Sequence, residues 1–226
     1  MDAVGGLLTA RGVEGLRVAL SGHRGDFAAL QAASRERWLG ELHEAFRVAR
    51  ARATALGVPL HLVANSLGAT LGLDLEAASR DVRFDRRVLL SPALTPKVPG
   101  APFLLLRALG AGARSLPSVN LPAYRAQPRC PFAAYAALFD SVAAVERSLP
   151  GLPPTPTLVV IDRGDELVSF RRLERLAAAR GWTLFEASTA QHQLPRRIHH
   201  LVLDEASVGP EEWSRLATAI LAHLRV

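Results

Sequence analysis

Cysteine, methionine and lysine are nearly absent: Cys130, Met1 and Lys97 are the sole examples in 226 residues. A lone cysteine excludes an internal disulfide and suits a reducing compartment. Lying between prolines in QPRCPF, Cys130 reads as a bystander. No apolar run approaches the roughly 20 residues that a membrane-spanning helix needs. The opening MDAVGGLLTARGVEG has neither the basic flank nor the apolar stretch of a signal peptide. These absences predict a cytoplasmic chain without a membrane span. Aromatics are few, at 6%, but 49% of the residues are hydrophobic, as in an ordinary globular chain. The length suits one domain with a full core.

Arginine is what the chain has in excess, giving a net charge of +6. A charge of that sign raises the question of nucleic acid. The arginines, however, are spread along Ala/Leu-rich segments such as AFRVARARATAL. Scattered arginines on helix faces make a solvated surface. There is no basic stripe interleaved with aromatics, and no zinc or RNA-binding signature. The expectation is no nucleic-acid partner and no metal; binding to nucleic acid that weakens with salt would overturn the first.

Five short aliphatic segments read as strands: LRVALS (16–21), LHLVANS (60–66), RRVLLSPA (86–93), TLVVID (157–162) and WTLFEAS (182–188). Several are apolar throughout rather than alternating, as strands covered on both faces are. Helical patterns separate them. Residues 34–57 carry an apolar stripe of Trp38, Leu42, Phe46 and Ala53, with Ser34 as N-cap and Gly57 as stop. Further helices are expected after Ser66, over 132–149, over 169–181, and from Pro210 to the end. Strand alternating with helix predicts a doubly wound, mostly parallel α/β sheet of about five strands, in one domain over 1–226. Residues 94–131 interrupt this grammar. They are rich in Pro and Gly, with a short apolar helix around 103–109, and read as an excursion over the sheet edge.

Ligands of open α/β sheets bind beyond the carboxyl ends of the strands. The polar residues there are Ser66, then Asp162 and Asp165, then the histidines that follow the fifth segment. A serine becomes a nucleophile when an imidazole takes its proton, and a carboxylate holds that imidazole in the right tautomer. The chain order is Ser, Asp, His.

Four stretches then resemble α/β-hydrolases. VANSLGAT is similar to their G-x-S-x-G elbow, with Ala64 at the first glycine position and Gly68 at the last. VVIDRGDELVSF resembles the loop that bears the triad acid, and RRIHHLVLDEASVGPEEW the loop that bears the histidine before the last helix. ALSGHRGD resembles the G-H-x-G turn after an early strand. The likeness is greatest to the carboxylesterase and monoglyceride-lipase branch. It implies a serine hydrolase needing no cofactor, acting on a small-molecule ester.

Within that resemblance Ser66 is the expected nucleophile, with small neighbours at Ala64, Gly68 and Ala69 giving the elbow room. Asp165 is the expected acid, with Asp162 and Glu166 competing. His199 is the expected base, since it precedes an apolar stretch and Asp204 as in the resembling families. His200 is the alternative, and His192 a third. His23 orders its turn, while His43 and His61 are ordinary surface or strand residues. Leu67 N–H is the expected oxyanion donor. Residues 94–131 imply a lid over Ser66 with part of Phe103–Leu109 facing the cavity, favouring an ester with an apolar part.

The likeness begins after the family's early strands and after the H-G loop that supplies the other oxyanion donor. Two expectations follow: a start upstream of Met1, or a short, weak or inactive member that binds an apolar ligand or a partner instead. The segments 16–21 and 60–66 would then either pair directly, letting Gly22 or His23 N–H stand in for the lost donor, or leave a gap. A gap is the expected outcome, with poor solubility and low esterase activity.

Overall fold

Four of the five aliphatic segments pair into a single parallel sheet in the computed structural model, which describes all 226 residues. In chain order the elements are α1 (Asp2–Thr9), α2 (Phe27–Gln31), α3 (Arg35–Leu56), β1 (His61–Asn65), α4 (Leu67–Ala78), β2 (Arg86–Leu90) and α5 (Ala101–Leu106). They continue with β3 (Ser115–Pro117), β4 (Arg129–Pro131), α6 (Phe132–Ser148), β5 (Thr157–Asp162), α7 (Phe170–Arg180), β6 (Thr183–Ala187), α8 (Glu205–Val208) and α9 (Pro210–Leu224). The main sheet has the order β1-β2-β5-β6, every neighbouring pair parallel; β3 and β4 form a separate antiparallel pair.

Parallel neighbours need a crossover over one face of the sheet, so both faces become covered. The strands show it: all of β5 is buried. Leu89, Val159 and Ile161 face one layer with Ala69, Leu73, Phe170 and Leu173. The alternate residues Val88, Leu90, Leu158 and Val160 face the other, with Leu201, Leu216 and Ile220. A third cluster, between α3 and α4, joins Trp38, Phe46, Leu71 and Leu75. The helix signals act where the sequence puts them. Ser34 Oγ accepts the Arg37 N–H at 3.2 Å to start α3, and Gly57 ends it at φ 65°.

LRVALS is a correction. Residues 13–20 enter no ladder, and Leu16 and Val18 are 54% and 44% exposed. A strand exists by virtue of its neighbour, and this segment hangs on a helix instead. Ser21 N–H donates to Glu41 Oε2 at 2.8 Å, and Trp38 Nε1–H donates to Ser21 O at 3.3 Å. Direct pairing of 16–21 with β1 does not form, so β1 is laddered on the β2 side alone.

The turn after this segment is nonetheless tightly built. Gly22 has φ 81°, and a Cβ there would lie 2.5 Å from Leu30 Cα, against backbone. Both the dihedral and the space demand glycine. Gly22→Ala is expected to cost about 2–4 kcal/mol, read as a lower urea midpoint.

Candidate active site

β1 ends at Asn65, and Ser66 makes the turn into α4 with φ 49° and ψ −115°. A positive φ on a β-carbon-bearing residue is strained and persists where the surroundings fix it. Here they do. Ser66 N–H donates to Leu90 O at 2.9 Å, and Ser66 O accepts from Ala93 N–H at 3.2 Å. The backbone is thus held from both sides while the hydroxyl projects beyond the sheet.

The small residues act differently from expectation. A Cβ on Gly68 would meet the Ala64 methyl at 3.9 Å, an ordinary contact, so Ala64 fits the elbow. The close approach is one turn further along α4. A Cβ on Gly72 would lie 2.5 Å from Leu62 Cδ2.

His200, not His199, faces the serine. His200 Nε2 lies 2.8 Å from Ser66 Oγ, and its Nδ1 lies 2.8 Å from Asp165 Oδ2. The ring is 4% exposed and the Asp165 side chain fully buried. Asp165 Oδ1 accepts the N–H groups of Leu167 and Val168, each at 2.8 Å, which orients Oδ2 towards the imidazole. Asp162 is occupied otherwise. It accepts from Gly164 N–H at 2.7 Å and from the N–H and hydroxyl of Thr189 at 2.8 Å, tying the ends of β5 and β6.

The choice of His199 as base is therefore corrected, for a geometric reason. Both histidines sit in a turn, where neighbouring side chains diverge. His199 is directed to Glu166, its Nδ1 2.7 Å from Oε1. Burial raises the Glu166 carboxyl, but hydrogen bonds from the His199 ring and from the His199 and His200 N–H groups outweigh it and leave the group below its ordinary range. His23 packs edge-on against Trp38, ring centroids 5.6 Å apart, and burial lowers its pKa. Its N–H donates to Leu20 O at 3.0 Å and is thus not free to serve as an oxyanion donor. Leu67 opens α4, where the first N–H groups have no acceptor within the helix.

Residues 94–131 reach the site at both ends. Thr95 and Ser169 exchange hydrogen bonds, Pro96 bridges Val168, and Lys97 Nζ donates to Asp165 O. Further on, Tyr124 Oη donates to Asp204 Oδ1 at 3.0 Å, beside the histidine turn. Phe103 is a correction, because it stacks on Tyr135 and Phe139 of α6, and Leu105 and Leu109 are 60% and 72% exposed. A groove elsewhere, between α6 and α7, is lined by Leu94, Val145, Arg172 and Leu176 and by none of the residues that gather at Ser66.

Hydroxyl, imidazole and carboxylate in one hydrogen-bonded line can pass a proton from serine to histidine while the carboxylate stabilises the imidazolium. Sequence reasoning missed Glu166 as a partner of the histidine turn. The available signal was the adjacency of two acids, 165–166, facing two histidines, 199–200.

No family model matches the chain, and no curated protein matches it. Solved structures do. One belongs to the metagenome-derived lipolytic enzymes LipS and LipT, with 21% identity and TM-score 0.67, covering 91% of this chain and 79% of that one. The Paleococcus ferrophilus monoacylglycerol lipase is 20% identical at TM-score 0.58, covering 82% and 74%. Est1E from Butyrivibrio proteoclasticus, with ferulic acid bound, is 16% identical at TM-score 0.60, covering 100% and 83%. At these identities the likeness speaks for the fold. The chain has the α/β-hydrolase fold, structurally similar to lipases and esterases, monoglyceride lipases among them.

Proposed function

We propose that this protein is a serine hydrolase of carboxylic esters, working through an acyl-serine intermediate. The observation that carries the reading is the hydrogen-bonded line Ser66–His200–Asp165, with 2.8 Å at each link, hung on a strained serine at a strand end. Ser66 Oγ attacks the ester carbonyl as His200 Nε2 takes its proton. The Leu67 N–H stabilises the oxyanion, and His200 returns the proton to the leaving alcohol. Water, activated by the same imidazole, then hydrolyses the acyl-serine. No cofactor enters these steps.

Residues 94–131 serve as the cap, and the substrate has an apolar acyl or alcohol part. This segment contains no Asp or Glu and five cationic residues, Lys97, Arg107, Arg114, Arg125 and Arg129, so a cationic substrate is disfavoured. A reducing cytoplasm is the proposed setting. A second reading, an impaired hydrolase-fold protein that binds an apolar ligand, is favoured by one observation: the direct pairing with β1 that would bring the Gly22–His23 turn to Ser66 does not form, which leaves Leu67 N–H as the oxyanion donor identified. Losing one such donor typically lowers rates about 10²–10³-fold.

A fluorophosphonate probe separates the two. The expected result is labelling of the intact protein at Ser66 and none of Ser66→Ala, with hydrolysis of p-nitrophenyl butyrate lost in the same variant. Absence of labelling in the intact protein, or its persistence in Ser66→Ala, sinks the esterase reading.

A further inference from the structure

The histidine turn carries a second acid–imidazole pair beside the first, and the two share a backbone. Glu166 Oε1 accepts the His199 N–H at 2.9 Å and lies 2.7 Å from the His199 Nδ1. Its other oxygen, Oε2, accepts the His200 N–H at 3.1 Å. One carboxylate therefore grips two successive amides, of which the second belongs to the residue that faces Ser66. We infer that Glu166 is a positioning residue: it fixes the turn that aims His200 at Ser66, through the backbone rather than through the reacting atoms. The inference rests on the proposed esterase mechanism.

The pairing is ordered by the chain itself. Asp165 and Glu166 are consecutive, and so are His199 and His200; the first acid takes the second histidine and the second acid the first. The loop after β5 thus holds the turn at two adjacent points. Asp165 holds the His200 ring at Nδ1, and Ser66 meets it at Nε2. The grip on the two amides adds a third constraint, on the backbone from which the ring projects.

A separate observation shows that the seat of His199 is built. A Cβ on Gly164 would lie 2.5 Å from His199 Cδ2 and 2.8 Å from Nε2, so any side chain at 164 would displace the ring. The imidazole lies over Gly164, and the side chain is 26% exposed. Its ring meets the same Glu166 oxygen as its own N–H, so His199 holds Oε1 at two points. A misplacement of about 1 Å at a reacting group can cost on the order of 10²-fold in rate, which sets the scale of the effect.

Two variants test it, Glu166→Ala and Glu166→Gln, each assayed with p-nitrophenyl butyrate well below its melting temperature. Glu166→Ala is expected to lower kcat about 10–100-fold with KM within about twofold. Glu166→Gln, which keeps one acceptor oxygen for the amides, is expected to recover most of that loss. A purely structural glutamate would move the melting temperature and leave kcat of the folded protein alone, and that result overturns the inference. So does a loss confined to KM, or a Gln variant as impaired as the Ala variant. Amide hydrogen exchange at His199 and His200 provides a readout independent of turnover. It is expected to quicken at least tenfold in Glu166→Ala and far less in Glu166→Gln, and unchanged exchange in Glu166→Ala also overturns the inference. If the intact protein takes no fluorophosphonate, the esterase reading falls by itself, and the grip on the turn is then decided by exchange alone.

Discussion

His200→Ala is expected to abolish fluorophosphonate labelling within assay time and to lower ester turnover by about 10³-fold or more, whereas His199→Ala keeps turnover within about tenfold. The contrast follows from where each ring nitrogen goes. His200 joins Ser66 Oγ to Asp165 Oδ2, both at 2.8 Å, and its removal leaves the hydroxyl with no base. His199 meets Glu166 and touches neither the serine nor Asp165 in that line. Losing its ring still leaves the two backbone amides on the Glu166 carboxylate. Steady-state kinetics with a short p-nitrophenyl ester, beside probe labelling of the same preparations, makes the comparison. Equal losses in the two variants would mean that the turn, and not the His200 imidazole, is what catalysis requires. A greater loss in His199→Ala would return the base to His199.

Why the sequence could not separate these histidines is a matter of periodicity. In a strand or helix, spacing tells which face a side chain takes. Residues 197–200 form neither, and Ile198 and Leu201 are both buried on either side of the pair. Counting to Asp204 chose a register that the turn does not keep. Ser66 was legible because it follows directly on β1, whose end fixes its position, and Asp165 because it lies in the short turn three residues past the end of β5. The same rule identified β1, β2, β5 and β6, whose residues are packed between helices.

The rule failed for LRVALS because a pattern describes a segment and a strand needs a partner. Leu16 and Val18 have the composition of a strand, and they are exposed because no strand pairs with them. Phe103 failed for a related reason. An apolar run in an excursion can roof a cavity or pack on a helix, and Tyr135 and Phe139 offered a stacked aromatic surface on α6. Gly72 was overlooked because its need for room arises from Leu62, a strand residue ten positions earlier in the chain. Contacts between α4 and β1 are set by how helix and strand cross, and no local pattern encodes that crossing.

The sheet's own stability has its largest expected single-site dependence at a buried ion pair. Arg87 on β2 and Glu76 on α4 are both fully buried in their side chains, with Arg87 Nε 2.7 Å from Glu76 Oε2. Arg87 Nη2 also donates to Glu76 Oε1 at 3.1 Å and Nη1 to Thr157 Oγ1 at 3.3 Å, so the guanidinium joins α4 to β5 across β2. Burial pushes the Glu76 carboxyl above its ordinary range, and the Arg87 charge restrains the rise. Removing either partner strands the other, so Arg87→Met and Glu76→Leu are each expected to cost about 3–5 kcal/mol, while the double variant returns to within about 1 kcal/mol of the parent or exceeds it. The pH dependence has a definite sign. In Arg87→Met the carboxyl keeps only the weaker restraint of the Phe84 N–H and the Arg83 charge and rises further; the folded state binds a proton that the unfolded state has released, and stability falls as pH rises from the ordinary glutamate range through the raised value. Urea unfolding of the parent, both single variants and the double variant across that range reads both effects. Single-variant losses that simply add in the double variant would show that α4 and β2 are held by their apolar contacts, with the ion pair contributing no coupling of its own.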